Sequence, residues 1–219
     1  MKLTVAIPTH EMEGRKLFLE RCLDSLWSQT FQDFDIVVTD NSDDDVIKDI
    51  CTYYGGWINY FRNPIKGMAQ NTNEAIKRST GSWIKILYLD DYMAHAGALQ
   101  KIWDNPKGNW LVTGCEHTFD GVKRINTHRP EYTEKITTNN TIGSPSVLTI
   151  KNEDPLLFDE KMQWLLDADY YKRCYDRWGA PTILKDINVV IGLGEHQLTN
   201  TMGDEIKSQE LDYIIHKHV

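Results

Sequence analysis

Along the first half of the chain, apolar residues fall in short unbroken runs separated by amphipathic stretches. Leu3 to Ile7 is one such run, closed by Pro8; Asp35-Ile36-Val37-Val38-Thr39 is a second and Trp57 to Phe61 a third. Short apolar runs of this kind read as strands covered on both faces. Between them, Leu17 to Trp27 places Leu19, Cys22, Leu23, Leu26 and Trp27 on one helical face. A further helix starts near Asp44, after the polar turn Asp40-Asn41-Ser42, and Met68 to Ser79 reads as a helix stopped by Gly81. Strand and helix alternating in this rhythm predict right-handed βαβ units, hence an α/β fold with a mostly parallel sheet flanked by helices.

A fourth apolar run, Ser82-Trp83-Ile84-Lys85-Ile86-Leu87-Tyr88-Leu89, ends abruptly in Asp90-Asp91. As a buried strand it delivers two adjacent carboxylates to the sheet's carboxyl edge, where ligands of open α/β sheets bind. Close like charges repel unless a cation sits beside them, and hard oxygen donors suit Mg²⁺ or Mn²⁺. The competing reading is a solvated turn, in which Asp is common.

The second half is less regular. Trp110 to Cys115 and Val122 to Ile125 read as strands around the turn Asp120-Gly121, and residues 127–143 read as a polar loop free to move. Ser146 to Ile150 is a short strand. Lys161 to Trp178 is a helix closed by Gly179, with Pro181 beyond it; Ile187 to Ile191 is a further strand, and the tail from about Met202 is polar with a weak final helix. With no internal repeat, low-complexity linker or boundary, residues 1–219 are expected to form a single domain.

Composition narrows the function. The chain has 219 residues and a net charge of −8, from 24 basic and 32 acidic side chains. That argues against a nucleic-acid surface, which needs concentrated positive charge. Cys22, Cys51, Cys115 and Cys174 are scattered and form no CxxC pair, so zinc ligation and a disulfide framework are not expected. The apolar part of the N-terminus is too short for a signal peptide, and no run approaches the ~20 apolar residues of a membrane span. A soluble protein of a reducing compartment, the cytoplasm, is the expectation. Asn139-Asn140-Thr141 matches a glycosylation acceptor, an accidental match without a secretory signal.

Four segments, in order and spacing, resemble the successive signatures of family 2 glycosyltransferases. They are Val5-Ala6-Ile7-Pro8-Thr9-His10; Ser28-Gln29-Thr30-Phe31 with Asp33 to Ser42; Gly81-Ser82-Trp83-Ile84; and Leu89-Asp90-Asp91. The likeness is dense from Leu3 to about Leu99 and resumes at Phe158 to Pro181; it also extends to transferase domains of large algal viruses. It implies a GT-A fold, a nucleotide-sugar donor half at about 1–99 and an acceptor half at about 100–219. It further implies an inverting enzyme that moves a hexosyl or deoxyhexosyl group from a UDP-sugar to a hydroxyl of a glycan or glycoprotein acceptor, with Mn²⁺ or Mg²⁺ as cofactor.

The resemblance also assigns residues. Pro8, Thr9 and Glu11 belong to the loop that cradles the nucleotide, where Pro8 by itself reads equally well as a strand stop. Asp40 corresponds to the base-binding aspartate; a carboxylate there can accept a uracil N3–H, and it can equally cap the following helix. Lys66, before a helix N-terminus, suits a diphosphate, although an exposed lysine is commonly only solvated. Asn73 falls at a recurrent family asparagine and can equally brace a neighbouring loop. Asp91 is expected as the direct metal ligand, with Asp90 touching ribose or a metal-bound water, and His196 completing the metal shell. Tyr88 stands where a further Asp is commoner. In Trp164-Leu165-Leu166-Asp167-Ala168-Asp169, Asp167 aligns with the catalytic base, although Leu166 replaces the usual Glu; taken alone it is an ordinary helix-start acid. Asp169 is expected to be structural, pairing with Arg173. The rivals are an inactive nucleotide-sugar or glycan-binding module, favoured by Leu166 and Tyr88, and a sugar-1-phosphate nucleotidyltransferase. The acidic Pro8 to Glu13 loop, lacking glycine until Gly14, disfavours the latter.

Overall fold

A computed structural model describes residues 2–218, apart from the side chain of Leu198. The four apolar runs of the first half form β1 (Leu3–Thr9), β2 (Phe34–Asp40), β3 (Ile58–Arg62) and β4 (Trp83–Ile86). All four are parallel and lie in the order β3-β2-β1-β4. Every residue of β1 and β2 is buried, as continuous apolar runs covered on both faces require. The connecting helices are α1 (Arg15–Trp27), α2 (Val46–Tyr54) and α3 (Met68–Arg78).

The sheet continues as β8-β6-β9-β5 through the second half: β5 (Tyr92–Met93), β6 (Trp110–Thr118), β8 (Leu148–Lys151) and β9 (Thr182–Gly192). The strand β7 (Ile125–His128) pairs with β6 off the main path. Here the pairing is mixed: β8 runs antiparallel to β4 and β6, and β9 runs parallel to β6. Helix α4 (Ala98–Asp104), α5 (Leu166–Trp178), the short α6 (Leu198–Thr201) and α7 (Asp204–Lys217) complete the chain.

Three expected elements differ, each for a local reason. The hairpin strand starts at Ile125 rather than Val122, because the Asp120 carboxylate captures the amides of Val122 and Lys123, both at 2.8 Å. The loop 129–143 is pinned, not free: Ile136 and Ile142 are buried, and His128 Nε2 lies 3.1 Å from the carbonyls of Thr141 and Ile142. The helix expected from Lys161 begins only at Leu166, because the preceding amides are bonded elsewhere, as described below.

One glycine is demanded by a close approach. A Cβ on Gly81 would lie 2.6 Å from both the Lys2 carbonyl oxygen and the Thr4 nitrogen, where β4 enters beside β1. The neighbours are backbone and cannot rotate away. Gly81→Ala is expected to cost about 2–3 kcal/mol, lowering the melting temperature by roughly 5–10 °C. An unchanged melting curve would show that the β1–β4 entry yields more easily than its packing implies.

Candidate active site

The carboxyl ends of β1, β4 and β9 and the N-termini of α3 and α5 open on one cavity of about 550 Å³. Pro8, Glu11, Lys66, Asp90, Asp91, Asp167 and His196 all line it, gathered from both halves of the chain. Thr9 and Asp40 do not.

Asp40 is fully buried at the end of β2, and both of its oxygens are occupied. Oδ1 accepts the Ser42 amide at 2.8 Å and lies 3.4 Å from the Thr9 hydroxyl. Oδ2 accepts the Tyr60 hydroxyl at 2.7 Å, with Arg62 Nε 3.3 Å away. The buried Thr9 hydroxyl also turns inward to the Thr39 carbonyl at 3.2 Å. Arg62 Nε donates to the Tyr60 hydroxyl at 2.8 Å, so of about four acceptor positions on the carboxylate only two are firmly filled. In this arrangement the carboxylate braces the ends of β1, β2 and β3 and does not line the cavity.

The two aspartates after β4 point in different directions. Asp91 is buried, and its Oδ1 accepts the Gly192 amide at 2.8 Å. Burial, then the neighbouring Asp90 charge, holds the Asp91 carboxyl well above the usual carboxylate range. Lys85, buried in β4, donates through Nζ to the carbonyls of Ser146 and Leu148, the latter at 3.3 Å. Burial brings its ammonium down to about 7. Asp90 is only partly covered, and its Oδ2 lies 3.0 Å from His196 Nε2. The open carboxylate beside the imidazole is thus Asp90, while Asp91 lines the same cavity from a buried position. Close backbone packing fixes this arrangement, because a Cβ on Gly192 would sit 2.6 Å from the Asp90 carbonyl.

Lys66 reaches the cavity rim one residue before Gly67, the N-cap of α3. Its ammonium bonds the Asn41 carbonyl and the Asp43 carboxylate, the latter at 2.6 Å, and holds the Asp43 carboxyl below its usual range. Asn73 braces a loop: its Nδ2 donates to the Phe158 carbonyl at 3.0 Å, and its Oδ1 accepts the Phe158 amide at 2.7 Å.

Asp167 is the second residue of α5. Its Oδ1 accepts the Ala168 amide at 2.7 Å and its Oδ2 accepts Asn140 Nδ2 at 2.8 Å. Burial pushes its carboxyl up to about 7 despite those hydrogen bonds. Asp169 faces away and pairs with Arg173 Nε at 2.8 Å, as expected. Trp164 lines the cavity beside the base candidate.

Two residues of this site were absent from the expected set. His10 lines the cavity, and burial lowers its pKa although Asp90 opposes the shift. No spacing pattern singles it out, since its neighbours come from distant strands. Asn140 comes from the polar loop, where it stood out only as part of a glycosylation-acceptor match; only the fold brings it to Asp167.

Comparison with known proteins identifies the family and the fold. The family described as glycosyl transferase family 2 matches residues 4–153. Glycosyltransferase GlyA of Streptococcus pneumoniae serotype 4 is 26% identical over 95 residues, covering 42% of this chain and 13% of that protein. The chain spans 13% to 53% of the length of the curated relatives it matches. Among solved structures, S. aureus TarS 1-349 in complex with UDP superposes with a TM-score of 0.71 at 17% identity, over 100% of this chain and 72% of that one. The mannosyltransferase PcManGT from Pyrobaculum calidifontis, in complex with GDP-Man and Mn²⁺, gives 0.65 at 15% identity, over 99% of this chain and 63% of that one. These likenesses establish a shared GT-A fold.

Proposed function

The chain belongs to glycosyl transferase family 2, and from that premise we propose that it moves a sugar from a UDP-sugar to a hydroxyl of a glycan or glycoprotein, with inversion. One observation carries the reading: a carboxylate held near neutrality, Asp167, shares a single cavity with the open Asp90–His196 pair. Residues 1–99 then form the donor half and 100–219 the acceptor half, with His196 crossing to the donor side.

Lys66 and the N-terminus of α3 receive the diphosphate, where helix amides and an ammonium both favour anions. Asp90 and His196 offer one oxygen and one nitrogen donor, and among the described residues no group of three or more His, Cys, Asp or Glu could hold an ion. That donor set fits Mn²⁺ or Mg²⁺ completed by substrate oxygens, since such ions commonly take one or two carboxylates plus phosphates. When bound, the cation offsets negative charge on the departing diphosphate. Asp167 takes the acceptor's hydroxyl proton as that oxygen bonds the anomeric carbon. The bond from that carbon to the diphosphate breaks on the opposite face, which inverts the centre. Trp164 offers a ring on which an acceptor sugar can stack, and Asp40 serves by holding the strand ends.

Calorimetric titration with UDP and a panel of UDP- and GDP-sugars, in Mn²⁺ and then in EDTA, tests the reading. Metal-dependent binding of one UDP-sugar series is the expected result. Absence of binding to every nucleotide, with and without metal, would defeat it.

A further inference from the structure

Helix α5 carries the base candidate, yet its own sequence supplies no cap. The N-cap residue is Leu165, with no side-chain hydrogen bond, and Trp164-Leu165-Leu166 offers no Ser, Thr, Asp or Asn. The first amides of a helix need an acceptor. The segment that enters α5 is instead held from 45 to 47 residues downstream: Glu210, in the middle of α7, accepts the amides of the N-cap Leu165 and of Gln163 and Trp164 before it, at 3.0, 2.8 and 2.9 Å. Glu210 is 6% exposed, and among the described residues no cation pairs with it. Three charge-assisted hydrogen bonds offset the desolvation of this buried carboxylate. They also fix the chain immediately before Asp167.

The same helix grips the other side of the base. Lys217 Nζ and His218 Nε2, at the end of α7, lie 2.7 and 2.8 Å from Asp169 Oδ1. Lys217 also pairs with Asp159 at 2.6 Å, and the Tyr213 hydroxyl donates to that carboxylate at 2.9 Å. Burial alone would raise the Asp159 carboxyl; Lys217, the Lys161 amide and Tyr213 outweigh it and bring it to about 2. These contacts therefore persist through the neutral range.

We propose that Glu210 is a positioning residue for sugar transfer: it anchors the segment that enters α5 and thereby sets the Asp167 carboxylate against the acceptor oxygen. The proposal rests on the reading of Asp167 as the base. Its claim is that α7 belongs to the active site although no residue between Asp204 and Lys217 lines the cavity.

The test compares E210A, E210Q and D167N by release of UDP from the UDP-sugar chosen in the titration, with water as acceptor. E210A is expected to lower kcat about tenfold or more, with KM for the donor and Kd for UDP within twofold. E210Q, which keeps one acceptor oxygen, recovers part of the loss. In parallel, the Asn140 side-chain amide resonance, which reports its bond to Asp167, shifts in E210A without any substrate present. Unchanged kcat and an unmoved Asn140 signal overturn the proposal. So does a kcat loss matched by an equal loss of UDP affinity, or collapse of both Glu210 variants, since each makes Glu210 a general fold residue. If D167N itself turns over normally, the base assignment fails first, and Glu210's role falls with it. Loss in D167N with none in E210A fails the positioning role alone.

Discussion

Asp167→Asn is expected to reduce turnover by about a thousandfold, within the range typical of a lost general base, while UDP affinity stays within twofold. The amide keeps the shape and the contact to Ala168, but it cannot take a proton. The native enzyme gives the matching pH signature. Burial places the Asp167 carboxyl at about 7, and only its ionised form acts as base. Activity therefore rises through pH 7 and levels above it. Stability moves the other way. The folded pKa lies above that of the unfolded chain, so ionisation costs folding free energy, an effect that starts near pH 4 and is complete above about pH 7. Asp167→Asn should thus melt a few degrees higher than the native protein at pH 8 and no higher at pH 4. A glycan-binding module would show no change in function on this substitution, and unchanged turnover removes Asp167 from the base role.

The second large effect separates neighbouring residues. Asp90→Asn is expected to lower metal-assisted UDP affinity at least tenfold with little change in melting temperature, because its carboxylate faces the cavity beside His196. Asp91→Asn should leave that affinity within threefold and melt at the same temperature or higher. Its carboxyl is held toward the neutral form by burial and by Asp90, a form the amide imitates while still accepting the Gly192 amide. Calorimetry in Mn²⁺ and in EDTA, with a melting scan for each variant, distinguishes them. The reverse pattern, with Asp91→Asn insensitive to metal and Asp90→Asn normal, would return the ligand role to Asp91.

What was legible in the chain follows the strength of the apolar signal. The runs of β1, β2 and β4 are buried on both faces, so their periodicity alone marks them, and their ends place Pro8 and Asp90-Asp91 at one edge. The two-residue β5 and seven-residue α4 are too short to show a period, and neither was expected. Spacing brought Asp90 and Asp91 to the site but not their facing, because a turn with the Asp91 amide on the Tyr88 carbonyl sends the two side chains apart. Asp40 is placed at a strand end by the apolar run before it, but the Tyr60 hydroxyl it accepts from the adjacent strand leaves no mark in spacing. Helix α7 read as weak because only Glu210 and Ile214 are buried on it. Its docking is polar, through Glu210, Tyr213, Lys217 and His218, and hydrophobic patterning does not record hydrogen bonds.

The Glu210 anchor also bears on synthesis. Chains grow at about 5–20 residues per second, so the end of α5 leaves the ribosome seconds before Glu210 does. Until then the amides of Gln163, Trp164 and Leu165 lack the acceptor they have in the finished fold. On the proposed role of Glu210, the proposed donor half is therefore synthesised before the proposed base is set.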